Sequence, residues 1–172
     1  MRSVVLALGS NVGDSGAILQ GAVDDLAAVP GLELTAVSRV YETDAIGGPE
    51  QPAYLNAVVI GQMTLDPGDL LDAVHRVEGA WHRTREMRWG PRTLDVDVIA
   101  IDDERSDDPH LTLPHPRAHE RAFVLVPWLD VDPAAALGGH GPVADLLERI
   151  GSGGVRPAGG FLALPGPAEG RG

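Results

Sequence analysis

The stretch Arg83-Thr-Arg-Glu-Met-Arg88-Trp89-Gly-Pro-Arg92-Thr-Leu-Asp95-Val-Asp97 decides how the rest of the chain is read. Four arginines fall within ten residues, and a strand pattern follows from Leu94 to Ile101. Residues two apart on a strand share a face, so Asp95 and Asp97 converge while Leu94, Val96 and Val98 point the other way. Two hard carboxylates beside a guanidinium cluster suit Mg²⁺ and a polyphosphate, the chemistry of nucleotide-dependent phosphoryl transfer. A solvated loop whose arginines pair with acids elsewhere is the plainer alternative. Trp-Gly-Pro between the last two arginines weighs against it, because it fixes a loop geometry that a solvated face does not need.

Working outward, Asp66-Pro67 and Asp69 predict the start of a helix, with proline at its first position and an acid in its first turn. Leu70, Val74, Val77 and Trp81 form its core stripe, and Leu71, His75, Glu78 and His82 flank it. Arg83 follows directly, so the flanking stripe opens onto the arginine stretch. Further back, residues 3–8 read as a strand buried on both faces, ended by Gly9-Ser-Asn-Val-Gly13, and Asp14 caps a helix over roughly 15–28. Gly9-Ser-Asn lacks the Lys and Ser/Thr of a P-loop. One strand is expected over 32–41, then a Gly/Pro-rich loop, then a strand from Tyr54 on which Tyr54 and Asn56 share a face. Forward of the decisive stretch lie an acidic connector over 102–108, His115 held extended between two prolines, and a short helix over 142–150. The order strand, helix, strand, strand, helix, strand predicts a ferredoxin-like βαββαβ core of α+β class, with additional C-terminal helices making a three-layer-like domain. Residues 1–150 are assigned to that one domain. Residues 151–172, rich in Gly, Pro and Ala, are expected to be a loose tail.

Composition narrows the partners. The chain has 172 residues and a net charge of −12, which opposes nucleic acid as a main partner. There is no cysteine, so disulfides and thiolate metal sites are unavailable and a reducing cytoplasm is the expected location. No apolar run spans a bilayer. All basic residues are arginine, as expected from a GC-rich genome. A monomer acting on small molecules is expected.

The run Arg88-Trp-Gly-Pro-Arg-Thr-Leu-Asp-Val-Asp97 resembles the hallmark of the 6-hydroxymethyl-7,8-dihydropterin pyrophosphokinase family. A second match, Leu111-Thr-Leu-Pro-His115-Pro-Arg117-Ala-His-Glu-Arg121-Ala-Phe123, extends the resemblance to roughly residues 4–133. It implies a ferredoxin-like enzyme moving pyrophosphate from ATP to a pterin alcohol, with two Mg²⁺ held by Asp95 and Asp97. Arg83, Arg92, Asp95 and Asp97 would be catalytic. ATP would meet Leu71, His75, Glu78, Arg85, Arg88, Trp89, Arg92, Val98, Thr112, His115 and Arg121. The pterin would meet Thr43, Asp44, Ile46, Tyr54, Asn56, Trp89 and Phe123, with Gly9-Ser-Asn beside it. The chain departs from the family at Ala45, where proline is usual, and at His82, where glycine is usual. A non-catalytic nucleotide-sensing domain of the same fold is the rival reading. It would need the phosphate clamp without the pterin pocket.

Overall fold

The helix read from Asp66 forms as α2 (Pro67–His82), and the strand after the arginines forms as β5 (Asp95–Ile101). The structure, a computed structural model, describes residues 1–10, 15–43, 54–82 and 94–165. In chain order the other elements are β1 (Arg2–Ser10), α1 (Ser15–Ala27), β2 (Leu32–Val37), β3 (Arg39–Thr43) and β4 (Tyr54–Met63) before α2. After β5 come β6 (Ser106–Asp108), β7 (Leu111–Leu113), a 3-10 turn (Ala118–Glu120), α3 (Ala122–Val131), β8 (Ala136–Leu137), β9 (Gly141–Pro142), α4 (Val143–Ile150) and β10 (Val155–Phe161).

The result is a mixed α/β domain around a six-stranded sheet ordered β10-β3-β4-β1-β5, with β2 also pairing β4. Each face of the sheet is covered. Leu6, Leu19, Val23, Leu70, Val74 and Val96 belong to the core beneath α1 and α2, where Leu70, Val74 and Val77 are buried as their spacing predicts. Val5, Val58, Ile99, Leu125, Trp128 and Leu146 belong to the core beneath α3 and α4. Truncating a fully buried leucine such as Leu19 to alanine would cost about 2–5 kcal/mol.

Two contacts set the stems of the arginine stretch. Trp81, in the last turn of α2, lies against Gly21 of α1 so closely that a Cβ there would collide with the indole. The Trp81 Nε1–H also donates to Asp25 Oδ2 at 3.2 Å. Gly21 therefore lets the two helices meet where α2 ends, and β5, which follows the arginine stretch in sequence, is held by pairing with β1.

Three expectations need correction. The strand expected over 32–41 is broken at Ser38, which is buried; its Oγ accepts the Val58 N–H at 2.9 Å and donates to the Arg39 carbonyl at 2.7 Å. A tertiary hydrogen bond thus supplies what the uninterrupted apolar pattern does not reveal. Within the acidic connector, residues 106–108 pair with β7 as a small antiparallel ladder. The segment beyond residue 151 is not loose over 155–165. β10 adds to the edge of the sheet by pairing with β3, and the Gln20 side chain then accepts the Ala163 N–H at 2.9 Å and donates to its carbonyl at 2.8 Å. Leu162 and Leu164 pack against the α1–α2 core. The proposed cap Asp14 lies outside the described residues.

Candidate active site

Cross-strand register builds the site. Gly9 of β1 is the Cα partner of both Asn56 on β4 and Asp95 on β5, and Tyr41 of β3 pairs with Asn56. Paired residues on antiparallel strands share a face, so Tyr41, Asn56, Gly9 and Asp95 form one row across four strands. The neighbouring pairs Ala7↔Asp97 and Thr43↔Tyr54 lie on that same face. It is the face covered by α3, since Ala7, Val58 and Ile99 belong to that core. Asn56 and Asp95 therefore flank Gly9 about two strand spacings apart, roughly 10 Å. A Cβ on Gly9 would stand 3.3 Å from Asn56 Oδ1, tighter than ordinary van der Waals contact, so the glycine leaves room for the amide beside it.

Asn56 is buried, and its Nδ2 donates to Thr43 Oγ1 at 2.9 Å, which fixes the direction of the amide. Tyr54 is half-buried beside it. Tyr41 at the end of the row was not singled out from the sequence. Burial, together with the Asp130 carboxylate, raises its pKa against the opposing effect of Arg39. Its signal was only its place two residues before Thr43 on the same strand.

Asp95 and Asp97 are half-buried on the α3 face, while Leu94, Val96 and Val98 are buried on the other, as the alternation predicts. His115 reaches this end from the turn after β7. Its backbone N–H donates to the Ile99 carbonyl at 2.8 Å, and its Nδ1 accepts the Arg117 N–H at 3.1 Å. Burial lowers the His115 pKa, Asp97 opposes that, and Arg121 and Arg117 reinforce it. With Nδ1 taken up by the Arg117 N–H, Nε2 is the ring nitrogen left to donate. At the head of α3 the Arg121 guanidinium lies 5.5 Å from the centre of the Phe123 ring, and Phe123 packs against the core that includes Val58.

Of the remaining nucleotide-assigned residues, Leu71, His75 and Glu78 stand on α2, which covers the opposite face of the sheet. Leu71 is half-buried and His75 exposed on α2. Glu78 sits on the same helix, with its Oε2 accepting the Val96 N–H at 2.7 Å. Burial raises the Glu78 pKa; the Val96 hydrogen bond and His75 lower it, and Asp95 and Asp97 add to the rise. Val98 is buried in the α1–α2 core rather than beside Asp97. Thr112 spends its hydroxyl proton on the Asp108 carbonyl at 3.1 Å within the β6–β7 ladder. Asp44, Ile46, Arg83, Arg85, Arg88, Trp89 and Arg92 lie outside the described residues. So do the side chain of His82 and residue Ala45.

Two carboxylates on one strand form a hard-oxygen donor set that fits Mg²⁺, which takes one or two protein carboxylates together with substrate phosphates. Among the described residues no helix is long and apolar enough to cross a membrane.

A mixed α/β domain with this carboxylate pair, an amide-lined slot one strand away and an adjoining arginine stretch has the makings of a small-molecule phosphotransferase. Its family is given by comparison. The family model described as 7,8-dihydro-6-hydroxymethylpterin-pyrophosphokinase matches residues 5–133, and the chain belongs to that family. Relatives named 2-amino-4-hydroxy-6-hydroxymethyldihydropteridine pyrophosphokinase include one from Methylorubrum extorquens, 42% identical over 90% of this chain and 98% of its own. Another, from Mycobacterium bovis, is 45% identical over 87% of this chain and 85% of its own. Among solved structures, wild-type Plasmodium falciparum HPPK-DHPS with pteroate aligns with a TM-score of 0.67 at 13% identity. That alignment covers 86% of this chain but 44% of the other, so this chain spans less than half of the solved protein.

Proposed function

We propose that this chain transfers the pyrophosphoryl group of ATP to the hydroxymethyl oxygen of 6-hydroxymethyl-7,8-dihydropterin, releasing AMP, as a step of folate biosynthesis. The observation that carries the reading is the row Asn56–Gly9–Asp95. It sets a group able to read a heterocycle edge on one side of a residue without a side chain and a carboxylate suited to a cation on the other. The order β3-β4-β1-β5 with helices α1 and α2 on one face supports a ferredoxin-like βαββαβ core, followed by α3 and α4 on the other face.

In this reading the pterin edge meets Thr43 and Asn56. An amide both donates and accepts, and the Thr43 hydroxyl fixes which way it points. Tyr54 and Phe123 bracket the ring, with Asp44, Ile46 and Trp89 completing the pocket. Asp95 and Asp97 would hold two Mg²⁺, which when bound supply positive charge against the triphosphate. Arg83, Arg85, Arg88, Arg92 and Arg121 grip phosphate oxygens as planar forks. His115 donates to a phosphate oxygen through Nε2, its Nδ1 being held by the Arg117 N–H. Leu71, His75, Val98 and Thr112 form the nucleoside side. No side chain is assigned as general base; positioning and charge neutralisation supply the catalysis.

The test is direct: protein, ATP, Mg²⁺ and the pterin alcohol should yield AMP and the pterin diphosphate in equal amounts. ATP binding without AMP would establish the sensing domain instead. The pairing of Thr43, Tyr54, Asn56 and Phe123 with the carboxylates on one sheet face favours the enzyme.

A further inference from the structure

We propose that Glu78 is a positioning residue, whose carboxylate fixes the start of β5 and thereby the direction in which Asp95 and Asp97 point. The inference rests on reading those two aspartates as metal ligands. β5 ends the sheet on that side, pairing with β1 and with no other strand of the sheet among the described residues. The N–H groups on the outer rim of an edge strand need acceptors, above all where the residue is buried, and Val96 is buried. The Val96 N–H finds an acceptor in a side chain from the neighbouring helix. Glu78 crosses from α2 and accepts it at 2.7 Å, in the short range expected when the acceptor is charged.

The position of this bond matters for what flanks it. Val96 stands between Asp95 and Asp97, so fixing its peptide group fixes the pleat on which both carboxylates ride. Glu78 also lies one turn before Trp81, whose packing on Gly21 and hydrogen bond to Asp25 anchor the end of α2. The hydrogen bond therefore ties the helix that enters residues 83–93 to the strand that leaves them. The resemblance assigned Glu78 to the nucleotide; the structure gives one of its oxygens to the backbone between the two aspartates. Ligand-orienting partners of this kind are typically worth about 10- to 100-fold in metal affinity.

The test uses the full chain with Mn²⁺ as the probe and a non-hydrolysable ATP analogue, without pterin. Mn²⁺ affinity is read by electron paramagnetic resonance and Val96 amide exchange by ¹⁵N NMR, in wild type, Glu78→Gln and Glu78→Ala. Glutamine keeps an acceptor oxygen, so it should retain Val96 protection and hold Mn²⁺ within about threefold of wild type. Alanine should speed Val96 exchange and weaken Mn²⁺ by about tenfold or more. Binding of the analogue without metal should be the same in all three. If alanine prevents folding, Glu78→Asp, whose shorter side chain cannot reach at the same geometry, should show the same loss in lesser degree. Mn²⁺ affinity unchanged in Glu78→Ala would overturn the proposal while leaving the metal reading intact. Equal loss in glutamine and alanine variants, or metal-free analogue binding lost in both, would overturn it in favour of charge or direct nucleotide contact. A wild-type protein that binds no Mn²⁺ alongside the analogue would overturn the metal reading itself and this proposal with it.

Discussion

The two ends of the sheet face beneath α3 both carry acidic residues, and they use them in opposite ways. At the far end, Ser3, Val5, Ile60 and Ala100 floor a cavity of about 620 Å³ beside Trp128, with Asp102, Asp103, Glu104 and Asp132 around it. Most of these acids serve the chain itself. Asp102 Oδ1 accepts the Ser3 N–H at 2.9 Å, Glu104 pairs with Arg2, and Asp132 Oδ1 accepts the Ala134 N–H at 3.2 Å. At the near end Glu78 accepts the backbone N–H between Asp95 and Asp97, and Asp95 stands across from Gly9 on the face beneath α3. A dense group of acids is thus no mark of a site. What distinguishes the near end is that Glu78, a residue of another element, satisfies the backbone between two carboxylates that share one face of the strand.

The largest expected effect tests that contrast. Asp97→Asn keeps the volume but removes one of two protein charges from the proposed Mg²⁺ site, and turnover should fall by about a hundredfold to ten-thousandfold. The Mg²⁺ dependence of the rate should shift more than pterin binding. Asp102→Asn at the far end should leave turnover within about twofold. Asp102 has φ 47°, a conformation asparagine tolerates, and an amide oxygen can still accept the Ser3 N–H. Superimposable Mg²⁺ titrations for wild type and Asp97→Asn would remove the distinction between the ends.

Arginine substitutions sharpen it. Arg92→Lys keeps the charge but loses the fork, and about 2–3 kcal/mol of transition-state stabilisation should go with it, read as a fall in kcat with little change in melting temperature. At the far end Arg2 pairs with a partly exposed Glu104. Arg2→Lys should therefore change stability by less than about 1 kcal/mol and leave kcat unaltered. Wild-type turnover in Arg92→Lys would make Arg92 a structural residue.

How far the sequence carries this contrast can be judged residue by residue. The alternation of Leu94 to Val98 and the spacing of Leu70, Val74 and Val77 were legible because a half-buried strand and an amphipathic helix impose their own periods. The break at Ser38 was not, because it is made by a hydrogen bond to a distant strand. β10 escaped notice because a Gly/Pro-rich edge strand has no period, and what holds it is β3 and the Gln20 amide, both remote in sequence. Site residue types were legible as motifs, and strand spacing and the resemblance grouped them, but the register that joins them was not legible. Gly9 read as the end of a strand, whereas the register places it inside the ladder between Asn56 and Asp95. Glu78 read as a ligand contact, and only the folded helix shows it reaching the backbone of Val96.

Gly9 gives a smaller effect confined to the pterin side. Gly9→Ala places a methyl 3.3 Å from Asn56 Oδ1, so the amide must give way by a few tenths of an ångström or the slot narrows. The pterin Kd should rise by roughly 10-fold, about 1.4 kcal/mol, with binding of the ATP analogue unchanged. Equal weakening of both ligands would mean that the slot is shared rather than specific to the pterin.

The smallest effect lies beside the far end and depends on pH. His119 and His140 stack with ring centroids 4.1 Å apart and planes 12° from parallel. Partial desolvation by its neighbours, together with His119 and Arg105, lowers the His140 pKa from its ordinary 6.5. A base whose folded pKa is depressed favours the neutral form in the fold. The contribution is therefore whole above about pH 6.5 and is lost as pH falls from there through the lower folded value. Because His140 is exposed, solvent screens the interaction, and the loss should amount to a melting-temperature change on the order of a degree. His140→Phe keeps a ring on His119 but cannot gain a proton. Its melting temperature relative to wild type should therefore be higher at pH 5 than at pH 8, whatever the offset at pH 8. If the two pH profiles run parallel, protonation of this pair does not contribute to the acid sensitivity of the fold.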